Sequence, residues 1–216
     1  MLQETHMSQQ GLEALHRSWG GTLRGTVTSS FARGVLIWMS NEFPYVISTM
    51  ATDPNGRYVV LEGCLDGRPL TLSVIYAPNR GHLAFLHKLT PALLTDPQNP
   101  VIWGGDYNSI PDINLDRSTP PIRGAACYNS TAILKDWMTN AEVHDVWRLQ
   151  HPTLKEYSFY SPVHRLYTRL DLFLCSALLL PSIVTSEYLT STHSDHNPLR
   201  LVLHWVDPAP LSQHGD

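Results

Sequence analysis

The chain has 216 residues, 43% of them hydrophobic and 16% charged, with a formal net charge of −4 at pH 7. That length and apolar fraction support one substantial core rather than two, and no Pro/Gly/Ser-rich stretch divides the chain. The acidic balance excludes the global basic footprint of a tight nucleic-acid binder, so any such contact has to come from a local patch.

In chain order, Ser8 is placed to cap a helix over residues 9–18, with Leu12 and Leu15 on one face and Gly20-Gly21 ending it. Short runs rich in branched and aromatic residues then predict strands over 35–39, 45–50, 58–65 and 70–76. Asp53-Pro54-Asn55-Gly56 and Asp66-Gly67 are the clearest turns between them. A helix over 82–94 feeds a strand over 100–105, and a second helical stretch covers 130–138. Strands over 157–160 and 167–174 flank a hairpin loop, Ser161-Pro162-Val163-His164-Arg165, and strands over 183–189 and 199–205 follow. Strand-rich halves with interspersed helices imply two packed sheets covered by helices on their outer faces. The longest apolar stretch, 172–181, is too short to span a bilayer, and the residues after Met1 lack the pattern of a secretion signal. Cys64, Cys127 and Cys175 are scattered without metal-ligand spacing, which argues against zinc and for a reducing compartment. A soluble, intracellular monomer with no membrane partner is the expectation.

Two segments carry chemistry. The apolar run Val101-Ile102-Trp103 empties into Gly104-Gly105-Asp106-Tyr107-Asn108, where a glycine pair is expected to end the strand and turn the backbone tightly, presenting a carboxylate and an amide. Ser194-Asp195-His196 adds an acidic oxygen beside an imidazole able to contact a phosphate or move a proton. Alone, the first is more often a turn and the second a chance tripeptide. Together they imply metal-assisted chemistry on a phosphodiester.

Five pieces agree in order and spacing: Leu2-Gln3-Glu4-Thr5-His6, Val74-Ile75-Tyr76-Ala77-Pro78-Asn79, the segment from Gly104 to Ser109, Tyr167-Thr168-Arg169-Leu170-Asp171, and Ser194-Asp195-His196. The set resembles the endonuclease/exonuclease/phosphatase superfamily over nearly the whole chain. Leu115-Asp116-Arg117-Ser118 and Tyr157-Ser158-Phe159-Tyr160-Ser161 are similar to the apurinic-type endonuclease branch of non-LTR retrotransposons. The resemblance implies a DNase I-like, four-layered α/β/β/α sandwich lacking the family's first strand and helix, with a domain over 1–206 and a disordered tail over 207–216. It also implies DNA as partner, magnesium as cofactor with manganese as an alternative, a nuclear location for a working enzyme, and a reverse transcriptase domain in an intact element.

By the same resemblance, Glu4 holds the cation with Asp195 as its second or outer partner, since a hard ion takes one or two carboxylates and keeps its waters. Asp106 handles the proton of the water or leaving oxygen, Asn108 orients it, and Tyr76 offers its hydroxyl to the phosphate. His196, polarised by Asp171, stabilises the transition state. Ser158 and Ser194 are hydroxyls near the substrate. Arg117, His164 and Arg165, with Arg169 and Arg123, supply the positive patch, the hairpin loop probing the minor groove. The other histidines, His82 included, have no ligand-like spacing and receive no chemistry.

The expected reaction is magnesium-dependent hydrolysis of DNA leaving a 3′-hydroxyl. An abasic-site endonuclease or exonuclease III-like repair nuclease shares the same residues. A phosphoinositide or sphingolipid phosphoesterase keeps the fold with other flanking motifs, and an inactive remnant that binds nucleic acid weakly is the non-enzymatic alternative.

Overall fold

The computed structural model describes residues 1–28, 31–94, 96, 98–121 and 125–205. Arg123 of the expected patch and the expected tail over 207–216 lie outside the described residues. The chain begins with α1 (Gln9–Ser18), β1 (Thr22–Thr26), β2 (Val35–Met39), β3 (Tyr45–Thr52), β4 (Tyr58–Leu65) and β5 (Arg68–Tyr76). It continues through α2 (His82–Leu93), β6 (Val101–Asp106), α3 (Ala126–Asn140), β7 (Val143–Asp145) and α4 (Val146–Gln150). The last strands are β8 (Phe159–Ser161), β9 (Leu166–Thr168), β10 (Asp171–Ser176), β11 (Ile183–Tyr188) and β12 (Leu199–Leu203).

Local chemistry accounts for the boundaries. The Ser8 hydroxyl accepts from Gly11 N–H and starts α1. Asp66 and Gly67 both take positive φ, +49° and +76°, as a two-residue hairpin between β4 and β5 requires. β5 and β6 run parallel, which demands a crossover, and α2 supplies it.

A six-stranded sheet in the order β3-β4-β5-β6-β10-β7 forms the centre. On one face, Leu86, Leu89 and Leu93 of α2 and Leu134 and Trp137 of α3 pack against Trp103, Leu172 and Leu174. On the other, Val35, Ile37 and Met39 of β2 and Leu201 and Leu203 of β12 meet Val59, Leu61, Leu72, Ile102 and Cys175. Both faces of β4 and β6 are therefore covered, which is why these strands are nearly continuous in apolar or small residues. The architecture is a mixed α/β fold with a central sheet flanked by helices.

The second strand layer is not one continuous sheet. It consists of the pairs β1-β2 and β11-β12, with residues 2–6 running antiparallel along β2. A cavity of about 270 Å³ lies between Met1–Gln3 on one side and Pro198 and Leu199 on the other, above Gly104, Gly105 and Phe173. Among the described residues β12 pairs with β11 alone, so nothing bridges that gap.

Two strand expectations are corrected. β6 does not stop at the glycine pair but runs through it to Asp106. Gly105 has φ +152°, and a Cβ there would stand 1.9 Å from the Ile75 carbonyl oxygen, so glycine serves the close approach of β5. The turn comes later, at Asn108, with φ +46°. The expected strand over 167–174 is broken into β9 and β10, because Arg169 turns inward to buried carboxylates and Ser158 takes the backbone N–H groups of Leu170 and Asp171.

Candidate active site

Strand register builds the site. Asp106 lies opposite Tyr76 across the β5-β6 pairing and opposite Asp171 across the β6-β10 pairing, so the three stand in a row at one end of adjacent strands. Asp106 is buried, and its carboxylate accepts from Asn108 N–H at 2.7 Å and from Asn108 Nδ2 at 3.1 Å. The Asn108 side chain also donates to the Ala77 carbonyl at 2.8 Å, which locks the turn beyond β6 onto the turn beyond β5. A non-glycine residue in the left-handed region is strained by its Cβ, and these hydrogen bonds offset that strain.

Asp171 accepts His196 Nδ1–H at 2.7 Å, and the imidazole packs against Phe159 with centroids 4.7 Å apart. Burial by itself pulls the His196 imidazole down. The hydrogen bond to Asp171 and the charges of Asp171, Asp106 and Asp195 outweigh it, and His196 is pushed up to about 9. Burial, reinforced by the Asp171 charge, pushes the Asp106 carboxyl up to about 7, against the pull of the Asn108 N–H and of His196. The row thus holds a cationic imidazole beside a carboxyl poised near neutrality.

Glu4 comes from the segment along β2, where Thr5 and His6 N–H bond the carbonyls of Gly34 and Arg33. Its carboxylate is exposed and accepts the Tyr76 hydroxyl. Burial first, then the Glu4 hydrogen bond and charge, keep the Tyr76 phenol protonated well above its ordinary range. The guanidinium of Arg57 lies 5.2 Å from the centre of the Tyr76 ring.

The structure therefore brings together Glu4, Tyr76, Asp106, Asn108, Asp171 and His196. Ser194 and Asp195 sit beside them on the loop before β12, both exposed, with the Ser194 hydroxyl accepting His196 N–H at 3.0 Å. Arg117 bridges to Thr168 and so shares a hairpin face with Phe159, whereas His164 and Arg165 are exposed at the hairpin tip.

Ser158 has a different place from the substrate contact expected of it. It is fully buried, its hydroxyl accepts Leu170 and Asp171 N–H at 2.9 and 3.0 Å, and its carbonyl accepts Asn197 N–H at 2.7 Å. Those bonds splint the start of β10 to the loop carrying His196, so Ser158 sets the spacing of Asp171 and His196. Arg169, expected in an exposed patch, is likewise fully buried. It bonds Asp116 at 2.7 and 2.9 Å and Asp145 at 3.1 and 2.5 Å, and Arg148 reaches Asp116 from the other side. A lone arginine in an apolar stretch signals a partner of opposite charge, but no spacing rule says which. Tyr188, whose hydroxyl bonds the Asp171 carbonyl at 2.5 Å, and His82, whose Nε2 lies 3.0 Å from the Asn108 carbonyl, carried no sequence signal of such a role.

Among the described residues no three His, Cys, Asp or Glu side chains gather into a metal-holding group. Zinc takes a closed nitrogen and sulfur set, whereas a hydrated hard cation needs only one or two carboxylates. Of the acidic side chains here, Glu4 and Asp195 are exposed and could hold such an ion.

Residues 1–196 match the Endonuclease/Exonuclease/phosphatase family. The chain is similar to an AP endonuclease from Archaeoglobus fulgidus, with TM-score 0.72 and 21% identity over 93% of this chain and 86% of that one. It is similar to the AP endonuclease LMAP from Leishmania major, with TM-score 0.73 and 20% identity over 95% and 78%. A 3′ phosphatase, NExo, from Neisseria, bound to a product DNA hairpin, gives TM-score 0.69 and 18% identity over 94% and 88%. At such identities these likenesses concern the fold.

Proposed function

The chain belongs to the Endonuclease/Exonuclease/phosphatase family, and from that premise we propose that it is a divalent-metal-dependent DNA phosphodiesterase of the AP endonuclease and exonuclease type. The observation that carries this is the in-register row Tyr76, Asp106 and Asp171, with His196 held 2.7 Å from Asp171. The fold neighbours, named as AP endonucleases and a 3′ phosphatase acting on DNA, favour this repair-type activity over a retrotransposon endonuclease.

A cationic His196, oriented through Nδ1 by Asp171, presents Nε2–H to a phosphate oxygen and stabilises charge that grows in the transition state. Asp106, with its carboxyl near neutrality, accepts a proton from the attacking water. Asn108 fixes that carboxylate by two hydrogen bonds. The Tyr76 hydroxyl, protonated throughout, donates its one hydrogen to Glu4 and would turn it to a phosphate oxygen once the Glu4 carboxylate holds a cation. A magnesium ion, held by Glu4 with Asp195 as a second acidic neighbour, would supply positive charge against the phosphate. Removing one oriented donor of this kind lowers the rate roughly a hundred- to thousand-fold.

The test is cleavage of a duplex carrying one abasic site, beside the intact duplex, with magnesium, with EDTA, and with His196→Ala. Magnesium-dependent cleavage of the abasic duplex, lost in the other two arms, is expected. Equal cleavage in all arms would sink the proposal, and preference for the intact duplex would return the retrotransposon-type reading.

A further inference from the structure

The β8-β9 hairpin has two unlike faces. Side chains alternate along a strand, so Phe159 and its cross-strand partner Thr168 point one way, toward His196, while Tyr160 and its partner Tyr167 point the other. Arg117 pairs with Thr168 and belongs to the His196 side. On the far side the Tyr160 and Tyr167 rings lie 4.6 Å apart, and Tyr157 stacks on Tyr167 at 6.0 Å and 29°. Tyr160 and Tyr167 are 37% and 50% exposed, and Val163 at the tip is 85% exposed, between the hairpin strands and beside His164 and Arg165. Residues 157–168 include no acid, in a chain whose net charge is −4.

A ladder of open aromatic rings, ending in an exposed cation and built from a segment that itself carries no acid, fits a flat ring with a phosphate attached. It does not fit the intact double helix, whose base faces are already stacked. We propose that the Tyr160 and Tyr167 face binds bases that have left the duplex. The hairpin then acts as a wedge: the scissile strand lies on the Phe159 and His196 side, and unpaired nucleotides next to the cut stack on the tyrosines. The preferred substrate is DNA with unpaired nucleotides beside the scissile phosphate. This rests on the proposed DNA phosphodiesterase activity for its substrate, while the stacking itself needs no catalysis.

The experiment follows 2-aminopurine fluorescence in a short single strand titrated with the full chain in EDTA, using wild type, Tyr160→Ala, Tyr160→Leu and Tyr167→Ala. Quenching by wild type is expected, with affinity reduced about ten- to hundred-fold in the alanine and leucine variants. Leucine preserves apolar bulk without a π face, so wild-type affinity in Tyr160→Leu overturns the proposal even if the alanine variants fold poorly. A second arm compares magnesium-dependent cleavage of a fully paired duplex and of one with two unpaired nucleotides beside the cut. Equal cleavage of the two by wild type overturns the proposal and leaves the phosphodiesterase reading intact. Quenching without cleavage of any substrate overturns that reading and supports the binding face alone.

Discussion

Replacing Arg169 by methionine removes a buried cation from between two carboxylates and leaves a side chain of similar length that can pack. Arg169 is fully buried, as is the Asp116 side chain, and the Asp145 side chain is 5% exposed. Asp116 keeps Arg148 at 2.5 Å, whereas among the described residues Asp145 keeps the Arg148 backbone N–H at 3.2 Å. The uncompensated charge is therefore chiefly that of Asp145. Breaking a buried ion cluster on one side costs roughly 3–5 kcal/mol, and the partner left to Asp116 points to the lower part of that range. Against a total stability of roughly 5–15 kcal/mol this is a large share. With a urea slope of about 2–3 kcal/mol per molar, the unfolding midpoint should fall by about 1–2 M. Adding Asp145→Asn to Arg169→Met removes the orphaned charge and should recover part of the loss. Arg169→Lys should lie between, since one ammonium cannot serve two carboxylates in forked geometry. A midpoint within about 0.2 M of wild type for Arg169→Met, measured with an unchanged slope, would refute the account of Arg169 as the tie holding β9 and β10 to the 112–116 loop.

In the metal-free protein, the NMR titration of His196 should centre near 9 and drop toward the ordinary 6.5 in Asp171→Asn. Because the folded value is raised, the stability this pair contributes is fully present below pH 6.5 and fades as pH climbs through about 9, which a pH series of urea melts checks. Asp106, raised from 3.8 to about 7, should lose its stabilising contribution between those values as pH rises, while its competence as a base grows. Ser158→Ala leaves the buried N–H groups of Leu170 and Asp171 without their acceptor, so about 1–3 kcal/mol of stability should go. The same variant should lower kcat more than it alters KM, with Ser158→Thr restoring much of it; unchanged kcat would mean that the splint does not position His196. Gly105→Ala should fail to give folded protein by circular dichroism, since its Cβ would stand 1.9 Å from the Ile75 oxygen.

Much of the chain is legible before it folds, and particular residues show why. The predicted helix over 9–18 matches α1 because Ser8 and the spacing of Leu12 and Leu15 act within one or two turns. The predicted strand over 58–65 matches β4 because branched residues and the Asp66-Gly67 turn are local signals. β7 and α4 escape detection, being short and specified by what they pack against: Val146 and Trp147 are buried, but no period can emerge from so few positions. At the site, Asp106 and His196 stand out by their local segments, and Asp171 only through the family resemblance. The inward turn of Ser158 and the burial of Arg169 do not, because a serine and an arginine in segments expected as strands read equally well as surface residues.

Composition and turn chemistry thus determined the class of fold, and the family resemblance carried by five short segments determined which side chains are candidates for chemistry. Tertiary structure alone decided the row of Tyr76, Asp106 and Asp171, since strand register is a relation between distant segments. It alone decided that Arg169 is buried, because its partner Asp116 is 53 residues away. Local propensity acts over a few neighbouring residues, whereas burial and ion pairing are settled only when the sheet closes and the desolvated charge either finds its counterpart or does not.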